Sequence, residues 1–234
     1  MLKIASDIRD KFKGYCSSGE IIMLFVYMKC RFSLSYRDLE EMMIIRGASV
    51  DHSTVQRWFV KFASLIDKRV RKRKRPVSNS WRMDETYIRL NGRWVYLYRA
   101  VDSNGDTIDF LLRAKRDGLA AKAFFRKAFK THGRPDKINV DKSGSNKSAL
   151  DFFNQSLEEE DQYEVRQNKY LNNRIEQDHR FIKKRTRPML GFKSFQAARQ
   201  TISGIENVRM IQKGQIIGQE KNLSAFENFA NLMA

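Results

Sequence analysis

The sequence predicts a mixed α/β protein in which an N-terminal helical segment precedes a mixed sheet flanked by helices. Three observations carry this prediction. Apolar residues recur at helical spacing up to about residue 67, as in Leu39, Met42 and Met43 and again in Val55, Trp58, Phe59 and Phe62. From Trp81 the pattern becomes extended, with Asn91-Gly92 as a tight hairpin signal. Beyond Leu112, helical and extended stretches alternate.

The N-terminal elements follow from caps and breakers. Ile21, Ile22, Leu24 and Phe25 form an apolar helical stretch. Ser35, followed three residues on by Asp38, caps the next helix, and Gly47 is placed to end it. Asp51-His52-Ser53-Thr54 begins another, which buries Val55, Trp58, Phe59 and Phe62 and turns Gln56, Arg57, Val60 and Lys61 outward. Two helices and a short glycine turn, about 33–66, make a helix-turn-helix, with an ordinary helical hairpin as the alternative. Lys68 to Arg75 is basic at every position but Val70. With the following Pro76-Val77-Ser78-Asn79-Ser80 it reads as a basic linker over 68–80, in which Arg71, Lys72, Arg73 and Lys74 can lie along phosphates.

Met83 to Leu90, Arg93 to Val101 and Thr107 to Leu112 read as a three-stranded meander. Trp94, Tyr96 and Tyr98 alternate on the second strand, and core packing is their expected role ahead of base stacking. A helix over Leu119 to His132 is closed by Gly133 and Pro135, and Lys137 to Asp141 is a short strand ending on a carboxylate. A helix around Ala149 to Leu157, a short strand at Tyr163 to Arg166 and a helix from Asn172 to Lys184 follow. Meander, helix, strand, helix, strand and helix is the element order of the ribonuclease H-like fold. The expected division is a helical DNA-binding domain at 1–67, the linker, a ribonuclease H-like domain at 81–190 and a helical segment at 191–234. Within that last segment Ser194 to Lys213 is amphipathic, and the stretch from Gln215 is weakly patterned.

Composition narrows the partner. Of 234 residues, 45 are Lys or Arg against 27 Asp or Glu, a net charge of +18 with pI near 10.0, so a polyanion is the expected partner. The longest apolar run, Ile21 to Met28, falls far below the roughly 20 residues of a membrane-spanning helix, and no secretory signal is visible at the start. Two cysteines, Cys16 and Cys30, suit a reducing compartment.

The chemistry lies in Asp84 inside the first strand, Asp141 after the fourth, and Glu176 on a late helix, the places where such a sheet brings carboxylates together. Three acids suit two Mg2+ ions about 4 Å apart, which clamp the attacking and leaving oxygens of a phosphoryl displacement. Glu176, His179, Arg180 and Lys183 share a helix face by their spacing. Glu85 alternates to the opposite sheet face from Asp84 and reads as structural or solvated. Asp178 reads as turned away from Glu176.

Several long motifs, in order, resemble the DDE transposases of bacterial insertion sequences, in particular the compact IS-six group. They are Ser35-Tyr36-Arg37-Asp38-Leu39, Val50-Asp51-His52-Ser53-Thr54-Val55-Gln56-Arg57-Trp58, Met83-Asp84-Glu85-Thr86-Tyr87 and Asn91-Gly92-Arg93-Trp94-Val95-Tyr96-Leu97-Tyr98-Arg99-Ala100-Val101-Asp102. Asp141-Lys142, Asn172-Asn173-Arg174-Ile175-Glu176-Gln177-Asp178-His179 and Leu190-Gly191-Phe192-Lys193-Ser194 complete the likeness, which covers roughly residues 12 to 212. The resemblance implies a Mg2+-dependent enzyme, with Mn2+ as a possible substitute, that cleaves the ends of a mobile element and joins the freed 3'-hydroxyl to target DNA. Its catalytic acids and metal ligands fall on Asp84, Asp141 and Glu176, and its basic residue after the glutamate on Lys183. Arg180 is a further phosphate contact by position. Ser53, Thr54, Gln56, Arg57 and Lys61 are the expected base-facing residues. Implied partners are double-stranded DNA, as terminal inverted repeats and target, and a second copy of the chain. The implied location is the bacterial cytoplasm, on the nucleoid, with no membrane. A DNA-binding regulator derived from a transposase and a ribonuclease H-type nuclease are the alternatives.

Overall fold

The computed structural model describes residues 10–232; residues 1–9, on which the reading of no secretory signal rests, and 233–234 lie outside that range. In chain order the helices are α1 (Gly19–Arg31), α2 (Tyr36–Ile45), α3 (His52–Arg73), α4 (Gly118–His132), α5 (Gly144–Asn154), α6 (Asn173–Thr186), α7 (Phe195–Gln212) and α8 (Ala225–Asn231). The strands are β1 (Ser80–Leu90), β2 (Arg93–Asp102), β3 (Thr107–Arg113), β4 (Lys137–Asn139) and β5 (Glu164–Arg166). The chain divides into two compact units. One runs up to Arg75 and takes in Lys184–Met189 and the chain from Phe195; the other is Pro76–Lys183 with Leu190–Ser194.

The first unit is helical. Ser35 and Asp38 form a reciprocal capping box on α2, and Asp51 caps α3 by accepting from the Ser53 N–H at 2.8 Å. Between them Gly47 takes φ +77°, a left-handed conformation that costs glycine little. The His52 ring lies 3.1 Å from Glu40 and 3.2 Å from Asp51, which ties the turn to both helices. Phe25, Phe59, Phe62, Val208 and Phe229 are among the buried residues of the core.

Two stretches of this unit differ from the sequence reading. The basic run read as a linker is helix through Arg73. Ile66 and Val70 extend the buried stripe of Phe59 and Phe62, and the three cations of the last turn sit favourably at a helix C-terminus. Extended chain begins only at Lys74, which bridges to Ile216. The weakly patterned tail contains α8, started by a Ser224–Glu227 capping box, with Phe226 and Phe229 packed on Tyr27 at 5.3 and 5.2 Å between ring centroids.

Gly204 marks where α7 passes Cys30 of α1, since an added Cβ would lie 2.5 Å from its Sγ. Replacing Gly204 by alanine is expected to destabilise the protein by about 1–2 kcal/mol, because overpacking outweighs the roughly 1 kcal/mol that alanine gains in helix propensity. A urea unfolding midpoint checks this, and adding Cys30→Ala should recover most of the loss.

The second unit holds a five-stranded sheet in the order β3-β2-β1-β4-β5. β1, β2 and β3 are antiparallel, while β4 runs parallel to β1 and β5 parallel to β4. Asn91 and Gly92 both take positive φ, 47° and 75°, as a two-residue hairpin of matching twist requires. Trp81, Met83, Tyr98 and Ala100 share a core cluster with Phe124, Phe125 and Ala128 of α4 and with Ala149 and Leu150 of α5. This is the ribonuclease H-like arrangement expected from the element order. β4 ends at Asn139, two residues earlier than expected, because the Asp141 side chain accepts from the Ser143 N–H and turns the chain into α5. That helix begins at Gly144, five residues before the Ala149 start expected from the sequence.

Candidate active site

Register brings two of the expected acids together. Arg82 of β1 pairs with Asn139 of β4 in parallel, and two residues further on stand Asp84 and Asp141. Carboxylate oxygens of Asp84, Glu85 and Asp141 all lie within 4.8 Å of one another. Of the two roles expected for Glu85, solvated or structural, the structure leaves the second. Glu85 is buried, and Arg116 draws it in: one guanidinium nitrogen is 3.3 Å from Glu85 and 2.9 Å from Asp141. Arg116 lies in the loop between β3 and α4, where no local pattern distinguishes it from its basic neighbours.

The acids are tuned apart. Burial, reinforced by the charges of Glu85, Asp141 and Glu176, pushes the Asp84 carboxyl up to about 7, against a hydrogen bond from the Glu85 backbone. Burial also acts on Asp141, but hydrogen bonds from Ser143 and Asn146 and the Arg116 charge outweigh it and hold its pKa below the usual value. Glu85 is raised by burial despite Arg116.

Glu176 stands apart from this group. It is exposed in the first turn of α6, and its charge is felt at Asp84. Two buried polar links hold the start of its helix beside the sheet. Arg99, register partner of Asp84, donates to Asp178 at 2.6 Å, and Asn139 donates to Asn172 at 2.6 Å. Asp178, read as turned away from the acids, is thus the anchor of α6. Substituting Arg99 by methionine removes this buried 2.6 Å ion pair and is expected to cost about 3–5 kcal/mol in a denaturant titration. His179 is buried with Nδ1 3.7 Å from Asp84, and burial followed by the Arg99 and Lys183 charges drives its pKa down to about 2, so it is neutral. Lys183 is half-buried two turns beyond Glu176, and Arg180 is exposed.

The donor set suits a hard divalent cation. Glu85 Oε1, Asn146 Oδ1 and Ser143 Oγ, on residues that form or contact the acid cluster, are buried without a hydrogen-bond partner in the protein. A hydrated ion would satisfy such groups and favour the ionised form of Asp84 that burial disfavours.

On the helix-turn-helix, Gln56 and Arg57 are exposed and Ser53 and Thr54 half-buried, with Arg57 donating to Thr54 at 2.7 Å. Lys61 is exposed but engaged: its ammonium donates to the Lys11 carbonyl at 2.9 Å and lies 4.7 Å from the centre of the Tyr15 ring. In the basic run Lys72 is exposed, Arg71 pairs with Asp67 at 2.9 Å, and Arg73 reaches the Asn231 carbonyl at 3.5 Å.

A ribonuclease H-like sheet with acids converging where β1 and β4 lie parallel defines the class of metal-assisted phosphoryl-transfer cores. Residues 78–215, more than half of the chain, match the family described as DDE domain. The transposase for insertion sequence-like element IS431mec of Staphylococcus aureus is 38% identical over 195 residues, 83% of this chain and 85% of its own. The transposase for insertion sequence element IS257 in transposon Tn4003, also of Staphylococcus aureus, matches to the same extent. Among solved structures, the HTLV-2 integrase catalytic core domain in complex with magnesium matches with a TM-score of 0.38 and 18% identity, over 47% of this chain and 70% of that one. The chain belongs to the DDE transposases of insertion sequences, in the IS-six group. It is accordingly an enzyme that acts on DNA.

Proposed function

We propose that this protein cleaves the ends of a mobile DNA element and joins them to target DNA. Water first hydrolyses a phosphodiester at the element's end, leaving a 3'-hydroxyl and a 5'-phosphate. The 3'-hydroxyl then attacks a target phosphodiester, forming one P–O bond as another breaks and releasing a target 3'-hydroxyl. The observation that supports this most directly is the meeting of Asp84 and Asp141, with the helix of Glu176 pinned alongside.

Asp84, Asp141 and Glu176 would hold two Mg2+ ions, or Mn2+ in their place. When bound, these supply the positive charge that a transferring phosphoryl group requires and a template for the attacking and leaving oxygens. The protein's own groups do the rest. Arg99 and Asn139 position the glutamate helix, neutral His179 limits access to Asp84 from the buried side, and Lys183 and Arg180 hold a DNA phosphate. Residues 1–67 read the terminal inverted repeats through Ser53, Thr54, Gln56 and Arg57, with Arg71, Lys72, Arg73 and Lys74 along the backbone; Lys61 contributes after leaving Lys11. Residues 81–190 carry the chemistry, followed by the C-terminal helical segment at 191–234. Two element ends call for at least a homodimer. The place of action is the bacterial cytoplasm, on the nucleoid; among the described residues no helix is long and apolar enough to cross a membrane.

Purified protein incubated with labelled element-end DNA, a target plasmid and Mg2+ is expected to give joined products. Cleaved but unjoined DNA would instead identify a nuclease, and binding with neither product a regulator.

A further inference from the structure

The expected core role of the aromatic row on β2 holds for only part of it. Tyr98 is fully buried under Phe124, their ring centroids 6.1 Å apart, but Tyr96 is half-buried and Trp94 is 60% exposed. Tyr87 of β1, paired with Tyr96 and 50% exposed, joins them, its ring centroid 5.5 Å from Tyr96 and 6.2 Å from Trp94. Tyr87, Tyr96 and Trp94 thus form a solvent-facing aromatic patch on the second unit, beyond the cover of α4.

Its surroundings point to one kind of occupant. Arg89 is the register partner of Trp94 and Arg113 that of Tyr96, and both are exposed, so cations border the rings on the same sheet face. Tyr87 follows Glu85 by two residues on that face, a spacing of about 7 Å along a strand. Arg116 touches Glu85, which precedes Tyr87 on this face, and Asp141. Aromatic faces edged by guanidinium groups and continuous with a phosphoryl-transfer site match unpaired nucleobases, whose π-faces stack while their phosphates meet the arginines. Paired bases inside an intact duplex have no face to offer.

We propose that Tyr87, Tyr96 and Trp94 are a stacking platform for unpaired bases of the DNA strand that flanks the scissile phosphate. This rests on the transposase reading but is tested apart from it. Of the three tryptophans Trp58 and Trp81 are buried, so indole fluorescence quenched by a ligand in solution reports chiefly on Trp94. The probes are an oligothymidine, an abasic oligomer of equal length and charge, and a blunt duplex, each titrated into the full chain.

Oligothymidine is expected to bind more tightly than the abasic strand and to quench the indole. Trp94→Ala and Tyr87→Ala should each weaken its binding by about fivefold or more, while Trp94→Phe retains most of the affinity and the abasic strand is indifferent to all three. Unchanged melting of Trp94→Ala would confirm an intact fold. Equal binding of base-bearing and abasic strands overturns the platform and leaves a purely electrostatic surface. A wild-type dimer that Trp94→Ala converts to monomer, without change in oligothymidine affinity, assigns the patch to a second copy and also overturns it. Joined products from the wild type alongside either result would sink the platform alone; stacking without any joined product would sink the transposase reading alone.

Discussion

Asp84→Asn is expected to abolish strand transfer, lowering the joining rate by roughly 10³-fold or more, while binding to element-end DNA stays nearly unchanged. Asparagine keeps the shape of the side chain and removes its charge. The group lost is the one on which burial and three neighbouring carboxylates converge, and thus the one whose ionised form most needs a divalent cation. Binding should survive because the helix-turn-helix belongs to the other compact unit, and a chain of net charge +18 does not lose attraction for DNA when one carboxylate is neutralised. Asp141→Asn should behave alike. Joining by Asp84→Asn at the wild-type rate would remove this residue from the chemistry.

The same substitution is expected to stabilise the metal-free protein above neutral pH. The folded-state pKa of Asp84, about 7, lies above its value in the unfolded chain, near 3.8. Below about pH 4 both states hold the proton, and Asp84 costs the fold nothing. As pH rises from 4 to 7 the unfolded chain releases its proton while the folded one retains it, so stability falls, and above 7 the loss is complete. Asparagine cannot ionise, so in the presence of a chelator Asp84→Asn should be more stable than wild type at pH 8, by on the order of 3 kcal/mol, and nearly equal to it at pH 4. Added Mg2+ should raise the wild-type melting temperature at pH 8 and leave the variant almost unmoved. A wild type as stable as the variant in chelator at both pH values would mean that burial does not hold the Asp84 carboxyl above its ordinary value.

Much of this was legible along the chain. Ser35 with Asp38, Asp51, Gly47, Asn91-Gly92 and Gly133 announce where elements start and stop, because caps and turns are decided by hydrogen bonds and backbone angles within a few residues. The meander and the alternation after it led to the ribonuclease H-like order, and the spacing of Asp84, Asp141 and Glu176 pointed to the acids. Two of the departures also carry a local signal. Val70 continued the buried stripe of α3 into the basic run, and Ser224 with Glu227 marked the start of α8.

The rest belongs to contacts between residues far apart in sequence. Glu85 enters the acid cluster because Arg116, 31 residues on, bridges it to Asp141, a pairing that strand alternation cannot foresee. Asp178 serves α6 because Arg99, 79 residues earlier, needs a buried counter-ion. Trp94 and Tyr98 have the same alternation and nearly the same chemistry, yet one is open and the other covered, because Phe124 packs over Tyr98. Most element starts and stops, the order of the elements and the candidate acids are written locally, since they depend on hydrogen bonding within a few residues and on apolar period. Which charges neutralise one another, and which aromatic faces stay in solvent, emerges only in the fold, since Coulomb interaction and burial depend on distance in space.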